Sequence, residues 1–161
     1  MEVLEREPGF AVAAWRNMFV IFFADAVTVS RLQRVWDREK EWVQRAGPVA
    51  VVSISRKAAK MLTLPAEERA LAARIAKDMD ASMLCQAHVI MGTGFWAATV
   101  RTVISSVQLM SSPRYPVSVF DDVPSAATWV TPRLDKGVDA HEVQRIVQAV
   151  VDLEAGGARA A

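Results

Sequence analysis

The sequence predicts an α/β fold on a mixed sheet of about five strands, with an N-terminal hairpin, packed helices and an extra C-terminal helix. Three observations predict it. Two apolar runs, Phe10–Trp15 and Met18–Phe23, are separated only by Arg16-Asn17, a hairpin spacing. Short β-branched runs then alternate with stretches of helical period, the pattern of βαβ units. The chain has 161 residues, 52% hydrophobic and 23% charged, which suits one domain with one buried core and argues against disorder.

Residues 1–9 read as a polar arm ending in Pro8-Gly9. The domain proper covers residues 10–131. In it MFVIFF, apolar at every position, demands a central strand covered on both faces. Thr28 or Ser30 then caps a helix whose apolar face is Val29, Leu32, Val35, Trp36 and Val43, ended by Gly47-Pro48. Residues 49–54 form a short strand, parallel to its predecessor. Residues 55–64 are a basic connector. Pro65 opens a helix with Leu71, Ile75, Met79 and Met83 at steps of four, and Glu67 and Glu68 suit its N-terminus. A strand at 86–91, a Gly92-Thr93-Gly94 turn, a helix at 95–111 and a strand at 117–120 follow. Asp121 or Asp122 caps a short helix around residues 124–129. Residues 132–138 are a linker, and Asp139 with Glu142 makes a capping box for a last helix at 139–154. The Gly/Ala tail at 155–161 is expected to be disordered.

Composition restricts function. The formal net charge of +1 gives no strong global attraction to nucleic acid or to an acidic membrane. The longest nearly uncharged apolar stretch, residues 18–24, is far short of the ~20 residues of a membrane span. The N-terminus does not read as a signal peptide. A lone Cys85 forms no internal disulfide, which points to a reducing cytoplasm.

Catalytic and cofactor signatures are missing. Gly92-Thr93-Gly94 lacks the third glycine of a dinucleotide fingerprint and the lysine of a P-loop. His88 lies in an apolar strand with no acid or base patterned beside it, and Cys85 next to it reads as buried. Asp121-Asp122 could hold a metal, but a helix start explains both acids more simply. The expectation is a protein that is not an enzyme, with no metal and no cofactor. The Arg31, Arg34, Arg38 and Arg45 stripe reads as a solvated helix face or as a match for an acidic surface. On the helix at 95–111, Trp96, Val100, Val103, Val107 and Met110 form the sheet-facing stripe, with Ile104 beside it. The opposite face, Ala98, Thr99, Arg101, Thr102, Ser105 and Ser106, carries one charge and is a candidate interaction face. Its cover is the C-terminal helix, a second copy of the chain, or a ligand.

The strand AHVIM, the turn GTG, the helix opening FWAATVR and then PVSVFDDVPSAATWV, together with the leading hairpin, carry a family resemblance. Over roughly residues 10–130 the chain resembles the STAS-like domains of bacterial anti-sigma-factor antagonists. It is more similar still to their divergent stand-alone relatives, which are related to lipid-transfer domains. The resemblance implies a bacterial regulatory module acting through protein contacts, with homodimer formation open, or else a carrier or sensor of an apolar small molecule or lipid. It also places a phosphorylated turn of the antagonists on Ser53 and Ser55. The flanking Asp and Gly of that turn are missing here, and Arg56 and Lys57 stand where they would neutralise a phosphate.

Overall fold

The computed structural model describes the backbone of residues 1–57 and 64–157, with side chains to Leu153. Six strands form one sheet in sequence order: β1 (Glu2–Glu7), β2 (Phe10–Trp15), β3 (Met18–Phe23), β4 (Val49–Arg56), β5 (Met83–Met91) and β6 (Val117–Phe120). The first three are an antiparallel meander; β3 to β6 are parallel. Helices α1 (Val29–Ala46), α2 (Ala66–Met79) and α3 (Gly94–Ser111) connect the parallel strands. Strands added always on the same side, by crossovers of one hand, place all three helices on one face of the sheet. After β6 the chain crosses to the opposite face, where α4 (Val123–Val130) and α5 (Ala140–Gly157) pack together.

The predicted hairpin forms with Trp15 opposite Met18, and Arg16 takes a left-handed φ of 51° in the turn. All six residues of β3 are buried, as its sequence demands. Thr28 caps α1 by accepting a hydrogen bond from the Arg31 amide at 3.2 Å, and Asp122 caps α4 by accepting from Ser125 at 2.7 Å. The Glu142 amide donates to Asp139 at 2.8 Å.

Several expectations are corrected. The sheet has six strands, because residues 2–7 are an edge strand and no arm. The reason is charge: Glu2, Glu5 and Glu7 reach across to α1 and pair with Arg45, Arg34, Arg38 and Arg31. The acidic surface matching the arginine stripe is the chain's own first strand. Helix α2 stops at Met79, so Met83 opens β5 instead of continuing the helical stripe. Met110 is 45% exposed and does not belong to the sheet-facing stripe of α3. Residues 58–63 of the expected basic connector lie outside the described residues. Helix α5 runs past Leu153 to Gly157, where a disordered tail is expected; residues 158–161 lie outside the described residues.

The two faces of the sheet differ. On the α4/α5 side one continuous core joins Met18, Val20, Phe22, Val52, Ile54 and Val89 to Val143, Val147, Val150 and Val151. Small residues there, Ala11, Ala13, Ala50, Cys85 and Ala87, let the helices lie close. On the α1–α3 side the apolar packing divides into three separate clusters, around Trp42, around Ile75 and around Trp96.

Candidate functional site

Between those three clusters lies a cavity of about 530 Å³, within the usual size of a small-molecule site. Its floor is the sheet and its walls are the inner faces of α1, α2 and α3. The floor is where period-two alternation places β4 and β5 residues on the same side as Val51: Ser53 and Ser55 from β4, Gln86 and His88 from β5. Ser53 and His88 are direct cross-strand partners. The walls are mostly apolar, with Leu32 and Val35 from α1, Ala72, Ile75, Ala76 and Met79 from α2, and Val103, Ile104 and Val107 from α3.

Glu39 projects from α1 into this space. Its helix buries Leu32, Val35, Glu39 and Trp42 at steps of three and four, so a carboxyl stands in an apolar column. Glu39 is 4% exposed. Among the described residues no side chain hydrogen-bonds to it. Burial alone pushes its carboxyl up to about 8. The reverse sign applies to the His88 ring, where burial pushes the pKa down to about 4 and favours neutral imidazole. What surface His88 keeps is turned to the cavity. At the end near β6, the Tyr115 hydroxyl donates to Gln86 at 3.4 Å. Burial, with Glu39 and Asp80 nearby, raises the Tyr115 phenol above its ordinary range.

Ser53 and Ser55 face the cavity, side by side on the sheet floor. Arg56, read as a neutraliser for a phosphate on Ser55, lies on the other face with its guanidinium over Phe22, because adjacent strand residues alternate. The candidate interaction face on α3 is split. Thr99 lines the cavity, while Ala98, Thr102 and Ser105 are exposed and Ser106 is half-buried. Arg101 is paired with Asp121. Helix α5 does not cover this face; it packs against α4, β2 and β3 on the far side of the sheet. The Gly92-Thr93-Gly94 turn is closed by Trp96: a Cβ on Gly92 would lie 2.8 Å from its ring. Cys85 is buried, which pushes its thiol up to about 11. No group of three or more His, Cys, Asp or Glu suited to a metal occurs among the described residues. No helix among them is long and apolar enough to cross a membrane.

Sequence reasoning missed Glu39 and Gln86. For Glu39 the signal was present, since 32, 35, 39 and 42 make one helical column and an acid in such a column needs a reason. Gln86 and His88 share a face with Ser53 and Ser55 only through sheet register, which the sequence does not contain. Comparison with protein-family models, with curated proteins and with solved structures gives no match.

Proposed function

We propose that this protein is a non-enzymatic carrier or sensor of an apolar small molecule, held between the sheet and helices α1–α3. The observation that carries the reading is the cavity itself: about 530 Å³, apolar in its walls, with a buried Glu39 at its side that has no hydrogen-bond partner among the described residues. A core that only had to fold would fill such a space, because each void forfeits dispersion contacts and costs stability. It would also not place Ser53, Ser55, Gln86, His88 and Glu39 around it. We read the fold as STAS-like, on the element order of hairpin followed by βαβ units, and the setting as the bacterial cytoplasm. Native mass spectrometry of the protein purified from cells tests the proposal. The expected result is a co-purified small molecule. Ala76→Phe, which fills the cavity from α2, should remove that adduct while the chain stays folded. A wild-type protein that is always empty, and that binds no apolar dye, would overturn the reading.

A second reading, an interaction module acting on a protein partner, rests on a different observation. Phe95 and Leu109 are 80% and 82% exposed on α3, in one column with Ala98, Thr102 and Ser105. A dimer or a bound protein in the same mass spectra, with no small molecule, would favour it.

A further inference from the structure

The cavity has a charge character that narrows what it holds. Its lining among the described residues includes two carboxyl groups, Glu39 on α1 and Glu68 in the first turn of α2, and neither a lysine nor an arginine. The other titratable groups facing it are His88 from β5 and Tyr115 ahead of β6. A ligand with an anionic head, such as a fatty acid, would enter a low-dielectric space with no cation among the described residues to pair it, and its charge would oppose ionisation of Glu39. A ligand with a basic amine meets the opposite situation. The fold buries Glu39 without giving it a hydrogen-bond partner among the described residues, so an arriving ammonium displaces no protein group from the carboxyl. An ammonium carries three donors and no acceptor. One donor suits Glu39, and the Ser53 and Ser55 hydroxyls are further acceptors lining the same cavity.

We infer that the cavity selects apolar amines, with the hydrocarbon between Val35, Ile75, Val103 and Val107 and the ammonium paired to Glu39. This rests on the carrier reading above and goes further by naming the head group. Before the amine enters, Glu39 holds a proton; on binding, that proton leaves and a charge-assisted hydrogen bond replaces it. The walls supply affinity in proportion to apolar area, and Glu39 supplies the choice of head group.

The test uses three probes with the same chain: dodecylamine, dodecanol and dodecanoate, each kept below its micelle concentration. Each displaces an environment-sensitive apolar dye from the full-length protein. The amine should bind about tenfold more tightly than the alcohol, equivalent to roughly 1.4 kcal/mol, and the acid should bind most weakly. Glu39→Gln should bring the amine to the level at which the same variant binds the alcohol, removing the roughly tenfold difference. Glu39→Leu, with circular dichroism to confirm folding of both variants, gives the same comparison without a polar group. An acid that binds as tightly as the amine overturns the inference, as does an amine preference that survives both substitutions. If the alcohol binds and the preference is missing, the carrier reading stands and only the head group is wrong. If none of the three binds, both fall.

Discussion

Glu39 and His88 make opposite demands on the folded state as pH changes. Glu39 keeps its proton to about pH 8 when folded and loses it near 4.5 when unfolded, so stability falls as pH rises between those values. His88 takes up its proton only near pH 4 when folded, against 6.5 when unfolded, so stability rises with pH across that window. The limiting slope for either is about 1.4 kcal/mol per pH unit. The two slopes oppose each other between 4.5 and 6.5, and from 6.5 to 8 the Glu39 slope is no longer opposed by His88. Thermal melts should therefore show a midpoint that falls from pH 6.5 to 8 in the wild type. In Glu39→Gln the midpoint should hold steady over that range and rise from pH 4 to 6.5. A variant that follows the wild-type fall would show that the buried carboxyl is not its source.

At the scale of elements, the arginine column of α1 and the acids of β1 form one network. Glu5, 16% exposed, meets Arg38 at 2.8 Å and Arg34 at 3.5 Å, and Glu7 meets Arg31 at 2.7 Å. Arg31 also donates to the carbonyls of Ala26 and Pro8, tying the β1–β2 turn to the start of α1. Single exposed pairs contribute little, but a charge reversal here sets three like charges together. Glu5→Lys should lower the melting midpoint by several degrees in low salt, and the gap to wild type should narrow in 1 M salt, where the screening length is about 3 Å. An unchanged gap would mean that the loss is packing. On the opposite face, Val147 is 1% exposed against β2 and β3. Val147→Ala should cost about 2 kcal/mol in denaturant titrations; a cost near zero would make α5 an appendage. These elements also show what the sequence makes legible. Every parallel strand and all five helices were readable, because period, caps and turns are local: Thr28, Asp122 and Asp139 cap where their sequence says. The role of β1 was not readable. Its partners lie on α1, 24 to 43 residues away, and EVLERE alone reads as a solvated tail. The cavity was half legible: Ser53, Ser55 and Thr99 were singled out, but what joins them to Glu39 and Gln86 is tertiary packing.

Across the whole molecule, the cavity makes the two layers unequal. Helix α2 packs mainly on its neighbours α1 and α3, with the void between it and the sheet, while α5 sits directly on β2 and β3. Local stability follows buried contact, so α2 should be the first of the helices to open. Hydrogen exchange should find the amides of residues 70–79 less protected than those of 143–151, and a bound ligand should slow the first set and leave the second unchanged. Equal protection of the two would place the weak point elsewhere.

The strictly sequential strand order has a kinetic consequence. No strand waits for a distant one to be inserted beside it, so each can dock on the edge left by its predecessor, and the loop to be closed at each step is only the turn or crossover just made. Folding can then progress as a zipper from the β2–β3 hairpin outward, with low sequence separation for a sheet that is half parallel. The exception is the last step. Helix α5 must return from beyond β6 to β2 and β3, bringing Val147 against strands more than a hundred residues upstream. That long closure follows an otherwise local assembly, and it sets the expected order of events: sheet and crossovers first, the α4/α5 face sealed last.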